Sequence, residues 1–280
     1  MKKAFLIAII LLLLFSGAFA VYRYRQEIYL PEKRISEARE KQEKLFEQVR
    51  PDVDNIPAPK PISPDTEAAT AENGTAPETS PVKAVKSVCS DAVGWLYVPD
   101  TGLDYPIAQG DDNSFYLSHG LDGEFDPFGL TVLDYRCEGD FSGYNSIIYA
   151  HNYENMAMFA PVGLFRENSY MDSHPRGCII TDRGREDIEF FAYLTVPSDS
   201  PVYNTVFITD KERRDYAELL LHTAAYHSDI TADELSQKRL VLLSTCTFEY
   251  DKARGVLAGY FSLTERKTPL IRLYHREILS

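Results

Sequence analysis

The stretch LLSTCTFEYDKARGVLAGY, Leu242 to Tyr260, consists of two apolar runs separated by a polar loop. The first run ends at Cys246, and the second begins just after Arg254. Runs of this length are typical of β-strands, and a short polar connection between them predicts a hairpin. In such a hairpin the seven residues 247–253 form the loop, and Cys246 faces Arg254 across its base.

Cys246 and Arg254 each have two interpretations at these positions. A free cysteine is usually a small buried hydrophobe, but it becomes a nucleophile when a base or a cation favours its thiolate. Arg254 either forms a surface ion pair with Asp251 or Glu249, which would contribute little to stability, or donates to an oxyanion formed during acyl transfer. The hairpin by itself favours the buried cysteine.

A histidine at the end of another apolar run favours the chemical interpretation. The segment NSIIYAHN, residues 145–152, ends its apolar run at Ala150 and places His151 immediately after it. The other five histidines lie in a helical pattern, among turn residues or near the C-terminus: His119, His174, His222, His227 and His275. A thiol, an imidazole and a guanidinium at strand boundaries together indicate a nucleophile, a proton carrier and an oxyanion donor.

Short apolar or alternating runs recur between turn residues from Val88 onward, as in an all-β domain. Eight of them lie at 94–98, 104–108, 129–134, 146–150, 177–181, 187–196, 239–246 and 254–262. Eight strands without regular helical alternation indicate a closed barrel rather than a βαβ sheet. Residues 210–226 predict an added helix that Asp210 caps, and residues 158–165 predict a shorter helix or turn.

The N-terminus carries a targeting signal. Residues 4–22 are uncharged and follow Lys2 and Lys3. In a helix they span roughly 28 Å, close to the thickness of the hydrocarbon core of a bilayer. An uncleaved membrane anchor is favoured over a cleaved signal peptide, because the apolar run is long for the latter, although residues 18–20 fit a cleavage pattern. Either outcome places the rest of the chain outside the membrane.

The composition divides the chain into five segments. Residues 1–25 are the membrane anchor or signal segment, and residues 26–50 are a mostly exposed juxtamembrane helix. Residues 51–87 contain many prolines and few large apolar residues, which predicts a flexible linker. The folded domain occupies residues 88–263, and residues 264–280 form a C-terminal tail.

The charge and the cysteine spacing exclude several classes of function. The net charge of −13 argues against a nucleic-acid partner, because phosphate binding requires clustered lysines and arginines. The four cysteines are far apart and do not pair with histidines at the spacing of metal ligands, so no metal site is expected. If Cys246 stays a thiol, at most one disulfide forms among Cys89, Cys137 and Cys178.

The ordered set of motifs resembles the sortase family, and specifically class B. LSTC ends one strand, Arg254 begins the next, and YAHN ends an earlier strand. The segments VGWLYVPDTGLDYPIAQGDDNSFYL (93–117) and GLTVLDYR (129–136) extend the resemblance, which covers residues 88–263. The resemblance implies an eight-stranded β-barrel with an added helix between the sixth and seventh strands, which is where residues 210–226 lie.

The resemblance implies an extracellular cysteine transpeptidase that uses no cofactor and no metal. It assigns the nucleophile to Cys246, the acid/base to His151 and the stabilising cation to Arg254. It also places four residues along the groove that binds the substrate peptide: Asn113, Leu117, Tyr203 and Ser244.

The substrate that the resemblance implies is a sorting motif of the NPxTN type, near the C-terminus of a secreted surface protein. A thioacyl-enzyme would form and be released by an amine of a peptidoglycan precursor. Two alternatives stay open: a pilus-polymerising enzyme that uses a pilin lysine as acceptor, and a non-catalytic surface-anchored binding domain. The expected location is the cell membrane, with a single N-terminal anchor and the catalytic domain outside.

Overall fold

The structure of the chain is a computed structural model that describes residues 15–17, 19–57, 80–153 and 157–262. Within these residues nine strands form: β1 (Ala92–Val98), β2 (Leu103–Ala108), β3 (Thr131–Leu133), β4 (Asn145–Tyr149), β5 (Arg176–Thr181), β6 (Gly184–Pro197), β7 (Tyr226–His227), β8 (Leu240–Cys246) and β9 (Ala253–Phe261). Every one of the eight runs predicted from the sequence forms a strand. The two-residue strand β7 was not predicted. It forms where the chain pairs briefly with β6, shortly after a helix at Asp210–Thr223.

Eight of the strands close into a barrel. The strand order is β5-β1-β2-β3-β4-β8-β9-β6, and a further pairing of β5 with β6 completes the ring, while β7 adds to β6 as a side strand. The prediction of an eight-stranded barrel is therefore confirmed. Most pairs are antiparallel, but β2 with β3 and β4 with β8 are parallel. The parallel pairing of β4 with β8 matters most for the site, because it joins segments that are far apart in sequence.

The helices lie outside the strands. They are α1 (Leu30–Val49), which follows a π-helical turn at Arg25–Tyr29, and α2 (Lys83–Val88), α3 (Asn168–Ser173), α4 (Asp210–Thr223) and α5 (Ala232–Ser236). Two 3-10 helices cover Ala160–Arg166 and Pro201–Tyr203. The first of these corresponds to the short helix or turn predicted at residues 158–165. Its Val162 and Phe165, with the preceding Phe159, pack into the barrel core.

The predicted helix at residues 210–226 is α4, and its N-cap differs from the prediction. Thr209, not Asp210, caps it: the Thr209 hydroxyl accepts from the backbone N–H of Glu212, and the Glu212 carboxylate accepts from the N–H of Thr209. This reciprocal capping box satisfies two N–H groups that a helix start leaves unpaired. Asp210 instead occupies the first turn, where its charge complements the helix dipole. The buried Tyr216 and Leu220 then hold α4 against the outside of the barrel.

Helix α1 is mostly exposed, but its last turns pack on the barrel. Phe46 makes edge-on ring contacts with Trp95 at 6.1 Å and with Tyr105 at 6.2 Å between centroids. Gln42 donates to the carbonyl of Gly129 at 2.7 Å. Residues 51–57 and 80–87, which the sequence assigns to the linker, also contribute buried side chains such as Val53 and Val85. The last turns of α1 and both described ends of the predicted linker therefore pack on the barrel in one apolar cluster.

The predicted membrane anchor lies largely outside the described residues. Residues 15–17 and 19–24 belong to helix and are exposed to solvent. Across the described residues, no helix combines the length and the apolar character needed to cross a membrane. The middle of the predicted linker, residues 58–79, and the predicted tail, residues 264–280, are also outside the described part of the chain.

The contact of α1 with the barrel predicts a measurable contribution to stability. Replacement Phe46→Ala is expected to lower the free energy of unfolding by about 3 kcal/mol, because it leaves a cavity beside Trp95 and Tyr105. Trp95 is the single tryptophan, so its fluorescence during urea unfolding reports on this region. The control Glu47→Ala changes an exposed neighbour on the same helix and should cost no more than about 0.5 kcal/mol. Equal stability of both variants would show that α1 does not pack on the barrel.

Candidate active site

Cys246 differs from the other three cysteines in its exposure. It is the last residue of β8 and is exposed, whereas the six residues before it in the strand are buried. Cys89 and Cys178 are buried, Cys137 is half-buried, and all four cysteines are free thiols. Burial raises the pKa of Cys137 to about 11 and that of Cys178 to about 12, so both stay protonated at neutral pH. Among the four thiols, Cys246 is the one that can meet a substrate.

The parallel pairing of β4 with β8 brings the segment that carries His151 to the end of the strand that carries Cys246. Tyr149 lies opposite Ser244 in this pair. One step further along, the Thr245 hydroxyl donates to the carbonyl of Ala150 at 2.8 Å. Beyond the strands, the Asn152 side chain donates to the carbonyl of Cys246 at 2.8 Å. These bonds hold the chain after β4 against the end of β8. His151 lies between the two bonded residues, Ala150 and Asn152.

The backbone of Leu117 orients the His151 ring. The Nε2 atom of His151 lies 2.8 Å from the carbonyl oxygen of Leu117. A carbonyl only accepts, so Nε2 carries the proton, and in the neutral ring Nδ1 has the free lone pair. Within the described residues no hydrogen bond joins the ring to the sulfur of Cys246. A group that orients His151 is not evident from the sequence, because a backbone carbonyl leaves no residue type to recognise.

A close backbone contact holds this carbonyl in place. Gly129 has a φ of 60°, and a Cβ added to it would lie 2.3 Å from the oxygen of Leu117. This left-handed conformation and this approach both require glycine. Gln42 of α1 donates to the carbonyl of the same glycine. The packing of α1 therefore extends through one loop to the group that orients His151.

Arg254 is the second residue of β9 and lies directly opposite Cys246, as the hairpin predicts. Its Nη1 donates to the carbonyl of Ala253 at 3.0 Å. Among the described residues no carboxylate forms an ion pair with Arg254, and Glu249 instead pairs with Arg166 at 2.9 Å. The surface ion pair considered from the sequence therefore does not form. The remaining guanidinium N–H groups of Arg254 are available to a ligand.

A cleft of about 860 Å³ connects these groups. It is lined by all seven residues singled out from the sequence: Asn113, Leu117, His151, Tyr203, Ser244, Cys246 and Arg254. The Tyr203 hydroxyl and the Ser244 hydroxyl are 2.9 Å apart and share a hydrogen bond. Burial raises the pKa of Tyr203 to about 12, so it stays a neutral phenol. The linked hydroxyls of Tyr203 and Ser244 are therefore a polar, uncharged part of the cleft wall.

Three further residues at the cleft were not singled out from the sequence. Asp134 is fully buried just after β3, and its carboxylate accepts from Arg136 and from the hydroxyl of Tyr149. Burial acts to raise the pKa of Asp134, but the hydrogen bonds from Arg136 and Tyr149 outweigh it and hold the pKa below its usual range. Both Arg136 and Tyr149 line the cleft. The Asp-x-Arg spacing in GLTVLDYR is the signal that could have identified the pair.

Comparisons with known proteins find relatives of one kind. No protein-family model matches the chain. Sortase B of Listeria monocytogenes is 31% identical over 180 residues, which are 64% of this chain and 72% of that protein. A solved structure of sortase B from Listeria monocytogenes is 32% identical with a TM-score of 0.56, covering 61% of this chain and 94% of that one. Sortase B from the type II pilus of Streptococcus pneumoniae is 28% identical with a TM-score of 0.55, covering 64% of this chain and 97% of that one.

Proposed function

Because the chain belongs to the sortase family, class B, and is a cysteine transpeptidase of surface proteins, we propose that Cys246 is its nucleophile, His151 its acid/base and Arg254 its oxyanion donor. One observation carries this assignment above the others. The exposed thiol, the oriented imidazole and a guanidinium with unused donors all line the same cleft. Strand pairing places Arg254 opposite Cys246, a position from which its guanidinium can donate to the oxyanion that forms in acyl transfer to sulfur.

The first half of the reaction forms a thioester. The thiolate of Cys246 attacks the carbonyl carbon of the scissile peptide bond, and the carbonyl oxygen takes up the negative charge. Arg254 donates to this oxyanion, which it can do without losing its own charge. The imidazolium of His151 gives its proton to the leaving nitrogen as the carbon–nitrogen bond breaks. The upstream part of the substrate stays on Cys246 as an acyl group.

The second half transfers that acyl group to an amine. The amine nitrogen attacks the thioester carbon, and the neutral His151 accepts a proton from it. The carbon–sulfur bond breaks, and Cys246 leaves as a thiolate. His151 is then an imidazolium again, so the pair returns to its starting state without a net change in protons. This symmetry lets the same two side chains serve both halves.

The proposed substrate is the sorting peptide of a surface protein, with a motif of the NPxTN type. Neutral hydrogen-bonding groups line part of the cleft, including the linked hydroxyls of Tyr203 and Ser244 and the side chain of Asn113. Asn113 is itself held through its Oδ1, which accepts from the backbone N–H of Tyr135 at 2.9 Å. Such groups suit an extended peptide with polar, uncharged side chains better than a charged one.

The proposed acceptor is an amine of a peptidoglycan precursor, and the proposed location is the outer face of the cell membrane. In this arrangement residues 1–25 anchor the chain, residues 26–50 and 51–87 connect it to the barrel, and residues 88–263 carry the activity. The uncharged run at residues 4–22 supports the anchor. A pilin lysine is a second candidate acceptor, and the similarity to a sortase B from a type II pilus favours including it in the test.

The decisive experiment is a transfer assay with the full chain in detergent. An NPxTN-type peptide is incubated with an oligoglycine amine, with a lysine-containing pilin-like peptide, or with neither, and the products are identified by mass spectrometry. Cleavage after threonine and a product joined to oligoglycine are the expected results. A product joined only to the lysine peptide would replace the wall amine by the pilin acceptor. Peptide binding without any cleavage would instead support a non-catalytic binding domain.

A further inference from the structure

The side chain of Arg136 lines the cleft but has no part in the proposed chemistry. We propose that Arg136, held by Asp134, binds a neutral carbonyl oxygen of the peptide substrate and thereby helps to select which peptides are accepted. This inference rests on the proposed function of the cleft. It concerns binding of the substrate, whereas Cys246 and His151 act on the scissile bond.

The first support is that Arg136 is held in one orientation. Its Nε and Nη2 atoms donate to the two oxygens of Asp134 at 2.9 and 2.7 Å, and its backbone N–H donates at 3.0 Å. The hydroxyl of Tyr149 donates to the same carboxylate at 2.9 Å. A bidentate pair on a fully buried carboxylate fixes the plane of the guanidinium. A side chain fixed in this way loses little entropy when it binds a ligand.

The second support is that part of the guanidinium faces the cleft. The side chain of Arg136 is 41% exposed although Asp134 is fully buried. Its Nη2 also donates to the carbonyl of Tyr203 at 3.2 Å. The Nη1 atom makes no hydrogen bond within the described part of the chain. Arg136 thus presents two unused N–H groups at a wall of the cleft that a peptide can reach.

The third support concerns the position of this group relative to the nucleophile. Tyr149, which shares Asp134 with Arg136, lies opposite Ser244, two residues before Cys246 in β8. Two residues of a strand span about 7 Å. A peptide that lies extended in the cleft with its reacting carbonyl at Cys246 would therefore meet Arg136 a few residues from the scissile bond. That separation fits a role in selecting the motif rather than in breaking the bond.

The charge balance indicates a neutral partner. Asp134 and Arg136 form an ion pair, so together they add no net charge to the cleft. Asp199 also lines the cleft and would repel a carboxylate of the substrate, whereas the positive charge of Arg254 lies opposite Cys246, where the scissile carbonyl is proposed to react. An amide or backbone carbonyl accepts a hydrogen bond from Arg136 without this repulsion. The structure therefore favours a peptide amide over an acidic side chain at this place.

The test compares Arg136→Met and Arg136→Lys with the original full chain in peptide cleavage. Arg136→Met is expected to raise KM about tenfold or more with a small change in kcat, because an interaction made equally in the ground and transition states is lost. Arg136→Lys keeps the charge but not the bidentate geometry, so its KM should lie between those of the original chain and of Arg136→Met. The matched control Arg214→Met, on the exposed face of α4, should leave both constants unchanged. A drop in kcat without a change in KM would overturn the proposal.

Two further measurements separate recognition from a structural role. Arg136 also holds the turn that carries Tyr203, so a purely structural effect would disturb Ser244 and the strand of Cys246. Alkylation of Cys246 by iodoacetamide should proceed at the same rate in Arg136→Met, and slower alkylation would overturn a role in recognition. If Cys246 reacts normally with iodoacetamide but neither the original chain nor any variant cleaves a peptide, the proposed function fails. That result is distinct from failure of the role proposed for Arg136.

A comparison of amide-containing peptides with their alanine analogues locates the contact. If Arg136→Met no longer discriminates between the two kinds of peptide, Arg136 binds a side-chain amide. If its KM rises equally for both kinds, Arg136 binds a backbone carbonyl, and both results support the proposal.

Discussion

Replacement Cys246→Ala is expected to abolish thioacyl-enzyme formation and to reduce peptide cleavage by a factor on the order of 10⁴ or more. The reason is that no other exposed thiol is present: two of the remaining cysteines are buried and Cys137 is half-buried. The measurement is mass spectrometry of the enzyme after mixing with a sorting peptide. The original chain should gain the mass of the acyl group, and the variant should not.

The matched control for this prediction is Cys137→Ala. Cys137 contacts the carbonyl of Asn145 and has a raised pKa from burial, so its removal should leave the acylation rate unchanged. Iodoacetamide should label Cys246 before any other cysteine in the original chain. Cleavage that persists in Cys246→Ala at the original rate would show that the nucleophile lies elsewhere.

Replacement His151→Ala is expected to slow cleavage of an ordinary peptide by about 10³-fold, within the usual range for a general acid and base. The amide nitrogen is a poor leaving group and needs the proton that His151 supplies. A substrate with an ester in place of the scissile amide expels an alkoxide more readily, so the loss should be clearly smaller for it. The two substrates together therefore test the role of the residue and not only its importance.

The control for this prediction is His222→Ala, which changes an exposed histidine in the last turn of α4. It should leave both substrates unaffected. The same loss for the amide and the ester would indicate that His151 supports the structure of the site rather than transferring a proton. No loss for either substrate would remove His151 from the mechanism.

The sequence predicted the strands well because each one is encoded locally. Alternating or continuous apolar runs bounded by turn residues located all eight barrel strands, and β7 was missed because a two-residue strand has no such pattern. The N-cap of α4 was placed one residue late, since Thr209 and Asp210 are both good caps and the reciprocal bond to Glu212 decides between them. The burial of the last turns of α1 was also missed, because Phe46 and Val49 form only a short apolar stripe.

The residues of the candidate site also differ in whether the sequence could predict their positions. Cys246 and Arg254 were placed opposite each other from the sequence, because a hairpin pairs neighbours along the chain. His151 was suggested by its position after a strand and by the resemblance that the YAHN motif carries. Arg136 was not singled out, because its importance depends on a carboxylate whose burial the sequence does not reveal.

The sequence by itself therefore determined the strands and the hairpin, since these follow from local periodicity and local pairing, and it supplied the candidate residues for the proposed chemistry. Only the tertiary structure decided that His151 and Cys246 line the same cleft, because β4 and β8 pair in parallel between segments almost a hundred residues apart. It also decided how His151 is oriented and how Arg136 is held. Those contacts depend on the Leu117 carbonyl and on a buried Asp134, and neither the position of a backbone oxygen nor the burial of a side chain can be read from residue types alone.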